Sequence, residues 1–158
     1  MLRQYKVWSI LALALCLPSV HSYGQDIDLV NPADIAQAID LTSTIEVSID
    51  ELIDMKANLD DPIENDGPAV RILESMKQRN EGLKESLNET AFAIIDDDIE
   101  LLFELNGTQC QTITNLQEAN DAVKTAAEMP HIRGITPEAA QFQTIKDSLG
   151  SIGSLLGC

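Results

Sequence analysis

From residue 31 onward, apolar positions recur mostly at intervals of three and four, the period of one helix face. Ile35, Ala38, Ile39, Thr42, Ile45, Ile49, Leu52, Ile53 and Leu59 draw a first stripe. Asn31-Pro32-Ala33-Asp34 stands in front of it, with a capping Asn, a proline at the first position and an acid in the first turn. This spacing predicts a helix over about 32–60. The polar stretch Asp60–Gly67 reads as a loop, and Pro68 opens a second helix. Its stripe runs Leu73, Met76, Asn80, Leu83, Leu87, Ala91, Ile94, Leu101 and Leu105, up to the stop signal Asn106-Gly107. A helix over 68–106 would be roughly 58 Å long at 1.5 Å per residue. Such length invites a kink, and Gly82 is the expected place, because glycine costs about 1 kcal/mol in a helix interior.

A third helix is predicted over 109–128, with Ile113, Leu116, Asn120, Val123 and Ala127 on one face and Met129-Pro130 ending it. Thr136-Pro137-Glu138 opens a fourth, about 137–156, with the stripe Phe142, Ile145, Leu149, Ile152 and Leu156. Gly150, Gly153 and Gly157 weaken its last turns or let them pack closely on a neighbour. Strand alternation and short repeats are missing from the pattern. The expected fold class is all-α: an up-down bundle of about four amphipathic helices with a long antiparallel first hairpin. The alternative is a set of coiled-coil helices that fold only as an oligomer, since Asn80, Thr90 and Asp97 fall at or near stripe positions.

The first 22 residues follow a different pattern. Arg3 and Lys6 precede an apolar run from Val7 to Leu17, then Pro18 and small residues. That order is a secretory signal. Val20 and Ser22 fit a cut before Tyr23, with a cut before Gln25 as the alternative. The run is shorter than the about 20 residues that span a bilayer, so an anchor is not expected, and no later stretch would span one. Residues 23–30 read as a flexible lead-in and 31–158 as a single helical domain.

Removing the leader changes the chemistry of what remains. The whole chain carries 10 Lys and Arg against 26 Asp and Glu, a net charge of −16. Loss of Arg3 and Lys6 leaves eight against 26, a net −18. Nucleic acid and anionic membranes are poor partners for such a chain, and a protein with a basic surface is a good one. The first hairpin shows the same sorting: Arg71, Lys77, Arg79 and Lys84 would fold back beside Glu46, Asp50, Glu51 and Asp54. The leader also removes Cys16, so Cys110 and Cys158 form an even pair in an oxidising compartment. Placed at the start of the third helix and the end of the fourth, they would close an antiparallel hairpin; a bond between two chains is the alternative. Two lone cysteines make no metal site, and no cofactor motif is present.

Asn88-Glu89-Thr90 and Asn106-Gly107-Thr108 match the N-glycosylation pattern, and Asn106 is expected at an accessible helix end. Asp96, Asp97 and Asp98, with Glu100 and Glu104, make the densest acidic run, within a 39-residue stretch (85–123) that holds nine acids and no Lys or Arg. These five are a candidate acidic interaction surface, beside the plainer reading of a solvated helix face. The acidic 60–67 loop lacks the ligand order of an EF-hand. His131, the one histidine left, sits in a Pro-His-Ile-Arg-Gly loop, and neither a nucleophile elbow nor a phosphate loop occurs. Catalysis is therefore not expected. The expected function is a secreted, acidic, non-enzymatic bundle acting by extracellular protein interaction. The alternative is an extracellular carrier of a small hydrophobic or lipid ligand in an Ile-, Leu-, Met- and Ala-rich core with few aromatics. A structural oligomer of the extracellular matrix is a third reading.

Overall fold

Asn31 caps the first helix as its signature requires: its Oδ1 accepts from the Ala33 N–H at 3.0 Å. The computed structural model describes residues 31–57, 67–129 and 134–158. Four helices carry these residues: α1 (Pro32–Ala57), α2 (Pro68–Ile95), α3 (Ile99–Ala127) and α4 (Ala140–Leu156). The leader, the lead-in, Leu59, most of the first loop and His131 lie outside the described residues. The helices form a ring in which α1 packs on α2 and α4, and α3 packs on the same two; the backbones of the diagonal pairs α1–α3 and α2–α4 stand farther apart. The fold is an all-α bundle.

The predicted stripes become its core. Ile35, Ala38, Ile45, Ile49 and Leu52 of α1 are buried with Leu73, Met76, Leu83 and Leu87 of α2. Ile113, Leu116, Val123 and Ala127 meet them from α3, and Phe142, Ile145, Leu149, Ile152 and Leu156 from α4. Polar members of the stripes find partners on neighbouring helices. Asn80 Nδ2 donates to the Thr42 carbonyl across α1–α2 at 2.8 Å. Asn120 Nδ2 donates to the Phe142 carbonyl across α3–α4 at 3.1 Å. Gln109 Nε2 donates to Thr90 Oγ1 at 2.7 Å and to Ser86 Oγ at 3.0 Å across α2–α3. Three of the four packed seams thus carry one buried amide. Their carbonyl oxygens meet no donor within the described residues, a cost of about 1–3 kcal/mol for each such group.

Two boundaries differ from the sequence expectation. The second helix does not run to residue 106. It ends at Ile95, the chain reverses through Asp96, Asp97 and Asp98, and α3 starts at Ile99. Asn106-Gly107 therefore lies inside α3 and stops nothing. Local signals were outweighed by packing: reversing at 96–98 gives α2 and α3 nearly equal lengths, 28 and 29 residues, so Leu105, Gln109 and Ile113 reach the core. α2 passes through Gly82 without interruption. The fourth helix begins at Ala140 rather than Pro137. Ile135 is buried, the Ala139 N–H closes a turn onto the Thr136 carbonyl, and Ala139 is extended at ψ 126° before α4 starts.

The basic cluster of α2 is split between two seams. Lys77 Nζ meets Asp50 Oδ1 at 2.7 Å and Lys84 Nζ meets Ser43 Oγ at 3.2 Å, which fixes α1 and α2 antiparallel. The hydrogen bond to Asp50 holds the Lys77 ammonium above its ordinary value near 10.5; desolvation opposes this, and the charges of Asp50, Glu46 and Glu81 add to it. Arg71 and Arg79 face the other way and line a shallow groove with Ile72, Met76 and Ala119. Glu51 takes Gln141 of α4 instead, at 2.8 Å.

Cys110 and Cys158 are bonded within the chain, with Cα atoms 5.5 Å apart. Cys110 is not at a helix start but well inside α3, and α4 is the shorter helix, with 17 residues. α4 ends on Gly157, whose left-handed φ of 73° lets the Cys158 N–H reach the Gly153 carbonyl at 2.8 Å. Gly153 lies against this corner; an added Cβ there would stand 3.8 Å from Cys158 Cβ.

Two measurements follow from this packing. Non-reducing electrophoresis is expected to show a monomer, and replacing Cys110 and Cys158 by Ser is expected to lower the unfolding free energy by up to about 4 kcal/mol, the loop-closure value for a 48-residue separation. Gly82 and Gly107 have open space at Cβ. Gly82→Ala and Gly107→Ala should each raise stability in chemical denaturation by about 0.5–1 kcal/mol; a loss at either would show that its backbone is strained.

Candidate functional site

The reversal between α2 and α3 is built by three aspartates with three separate backbone tasks. Asp96 is the C-cap of α2. Asp97 takes the left-handed conformation, φ 56°, the one non-glycine with positive φ among the described residues. The Asp98 N–H then bonds back to the Ala93 carbonyl at 3.0 Å, and the Asp97 N–H to Ile94 at 3.4 Å. This is the six-to-one and five-to-two pattern that commonly ends on glycine. Aspartate tolerates the conformation because its short side chain hinders the backbone least among charged residues. Asp98 finally caps α3: its Oδ1 accepts from the Leu101 N–H at 3.1 Å. Glu100 sits in the first turn, where the helix dipole favours an acid.

At the hairpin tip α3 overhangs α4. α4 ends beside Cys110, so residues 99–109 of α3 run past it by about 16 Å at 1.5 Å per residue. On the other helix, the pairs Lys77–Asp50 and Lys84–Ser43 set the register with α1. Carried forward at equal rise, that register brings the start of α1 level with the last turn of α2. Past the end of α4, the α4-facing side of α3 continues with no other described helix over it, whereas α1 reaches the end of α2. Lys77, Lys84, Ala91 and Ile95 form one strip of α2, spaced by seven, seven and four; its early members touch α1, and Ile95 is 77% exposed. Ile99, Phe103, Asn106, Cys110 and Ile113 form one strip of α3; its later members touch α4, whereas Ile99 and Phe103 are 52% and 57% exposed. Phe92, also exposed, stands on the outer side of α2. Together the four residues leave on the order of 500 Å² of largely apolar surface in water, with Phe92 apart from the other three. Val47 and Met129, the other large exposed apolar residues described, stand singly.

Acids rim this tip. Asp96, Asp97, Asp98, Glu100 and Glu104 are all exposed, with Glu89 one turn down α2. The acidic run expected on a helix face is thus the interhelical turn and the first turns of α3. None of these acids has an ion-pair partner among the described residues. The same residues group no three His, Cys, Asp or Glu side chains in a way that could hold a metal ion.

The sequons take different positions. Asn88 is exposed on α2, with its Nδ2 bonded to the Lys84 carbonyl at 2.9 Å. Asn106 is inside α3 rather than at a helix end, half-buried, with Oδ1 3.2 Å from Cys110 Sγ. A disulfide sulfur carries no proton, so that approach is a contact and not a hydrogen bond. Gln109 and Phe103 had no part in the sequence reading. Gln109 continues the α3 stripe four residues before Ile113, but a polar residue at the expected helix start carries no apolar signal, and an exposed Phe is invisible until helix ends are known.

Among the described residues no helix is long and apolar enough to cross a membrane. Comparison of the chain with protein-family models, curated proteins and solved structures returns no match.

The tip geometry separates its three aspartates by denaturation. Asp97→Val is expected to cost about 1–2 kcal/mol and Asp97→Gly nothing, because only the first forces a branched side chain into the left-handed region. Asp98→Ala should cost about 1 kcal/mol through the lost cap.

Proposed function

We propose that this chain is a secreted, non-enzymatic protein that acts by binding another extracellular protein through the α2–α3 hairpin tip. One observation carries the reading: Ile95, Ile99 and Phe103, large apolar side chains at the end of α2 and in the first turns of α3, are exposed to solvent beside acids that have no ion-pair partner among the described residues. A folded monomer gains nothing from leaving such a strip uncovered, since each fully buried residue of this size is worth about 1.5–3 kcal/mol. The helices beneath are rigidly tied by the buried Gln109 and by the disulfide, which suits a surface that binds without reshaping.

Secretion enters from the leader pattern and the Cys110–Cys158 bond, which persists in oxidising compartments. The carrier reading has weaker support. The groove lined by Arg71, Ile72, Met76, Arg79 and Ala119 is about 250 Å³, below the about 300–1,000 Å³ of small-molecule sites.

Expression of the full chain in a secreting cell tests both halves of the proposal. Intact mass of the medium fraction should give a chain starting at Tyr23 or Gln25; full-length retention in the cell would sink secretion. A photo-crosslinking residue at position 103, in native extracellular fluid, should yield discrete protein adducts. The same probe at exposed Thr125 should not. Equal adducts at both positions would remove the tip from the proposal.

A further inference from the structure

We infer that the partner reaches the tip as a cationic amphipathic helix, its apolar side on Ile95, Ile99 and Phe103 and its Lys or Arg residues on the acidic rim. This inference rests on the interaction reading above and adds the chemistry of the partner. Shape is the first argument. The exposed residues are not a scattered patch but the continuation of two helix-facing strips. Lower down, the α2 strip is covered by α1 and the α3 strip by α4. α1 reaches the level of Ile95, so the open space lies beyond the end of α4, along residues 99–109 of α3, bounded by the α3 side that α4 packs on lower down. Ala91, Ile94 and Leu102, next to the exposed side chains in sequence, are half-buried. Such a surface takes the apolar face of a helix through residues at i, i+3, i+4 and i+7. The overhang of about 16 Å spans about three turns of such a helix.

Charge selects among helices that could lie there. Residues 85–123 hold nine acids and no Lys or Arg, and six of those acids stand at the tip. Asp98 is engaged as a cap, whereas Asp96, Glu100 and Glu104 have no bond from another side chain within the described residues. A second copy of this chain would bring its own acids against these, and an anionic membrane would be repelled in the same way. A cationic helix relieves that repulsion while covering the apolar strip, and its approach is steered by the field it neutralises.

The test uses the secreted protein after glycosidase treatment and a fluorescent 18-residue Leu/Lys helix with one apolar and one cationic face. A scrambled peptide of identical composition, with no apolar face, is the control. Fluorescence anisotropy at 0.15 M salt should show the amphipathic peptide binding at least tenfold tighter than the scrambled one. Ile99→Ser with Phe103→Ser should weaken it at least tenfold with an unchanged melting temperature, both side chains being exposed. Glu100→Gln with Glu104→Gln should weaken it several-fold and flatten its salt dependence. Glu74→Gln with Glu81→Gln removes the same charge elsewhere on α2 and should leave it unchanged. Equal binding of both peptides, or equal loss in the two charge-removal variants, would reduce the effect to bulk attraction and overturn the inference. So would tip-dependent dimerisation in ultracentrifugation, binding to neutral lipid vesicles, or an intramolecular adduct from position 103 to residues 23–30. If position 103 captures an extracellular protein and the Leu/Lys helix fails to bind, the partner chemistry is wrong and the interaction reading stands. If both fail, both fall.

Discussion

The chain reversal at Asp96–Asp98 is the constraint on which the rest of this bundle depends. A left-handed residue at 97 turns α2 back on itself in three residues, and a cap at 98 starts α3 at once. Moved to the next available signal, Asn106-Gly107, the same turn would lengthen α2 by almost three turns and shorten α3 equally. Leu105, Gln109 and Cys110 would then lie on the wrong helix or at its end. The Gln109–Thr90 bond could not form, and Cys110 would not stand beside Cys158. Three like charges in sequence make this position unfavourable for a continuing helix, because they repel and are weak helix formers. The aspartates that break the helix also supply its cap and the charge of the tip.

The buried amides act on register more than on stability. Each of Asn80, Gln109 and Asn120 joins two helices through its NH2 group and leaves its carbonyl oxygen without a donor. An apolar residue of similar size would avoid that cost. What the amide adds is a penalty on slippage: moving a helix by one turn would strand the donor as well. With one amide in each of the seams α1–α2, α2–α3 and α3–α4, three helix pairs are locked independently. The fourth seam, α1–α4, closes the ring and carries Gln141–Glu51 at its surface. The same in-chain partners explain why polar residues at stripe positions, which suit a coiled-coil oligomer equally well, are accommodated inside a single chain.

Much of the fold was legible in the sequence because burial is written in periodicity. Every predicted stripe residue of α3 and α4, from Ile113 to Leu156, is buried. The helix start at Asn31-Pro32 was also legible, since a cap and a proline act locally. The turn was not. Its left-handed residue is an aspartate where glycine is the usual marker, while Gly107, which carries that marker, lies in a regular helix with open space around it. One sign was available: Asp98 followed by Ile99 and Glu100 is itself a cap with an acid in the first turn. The stronger-looking Asn-Gly signal competes with it, and only the packing of Leu105 and Gln109 decides. The candidate surface was half legible for the same reason. Its acids could be counted along the chain, but the uncovered apolar strip depends on where neighbouring helices end.

That dependence bears on what the tip acids do. On a continuous helix, Asp96 to Glu104 would be a solvated face, and their charge would need no further account. At the hairpin tip, where α3 overhangs α4, they stand close in sequence to exposed Ile95, Ile99 and Phe103, side chains that would otherwise drive two tips together. Like charge around an apolar strip opposes self-association without removing the apolar contact itself. It leaves the strip open to a partner of opposite charge. An apolar surface kept from its own kind and available to a cationic one is a discriminating surface, because specificity rests on the repulsive element as much as on the attractive one. The aspartates that force the turn thereby also set the terms on which its exposed face can be covered.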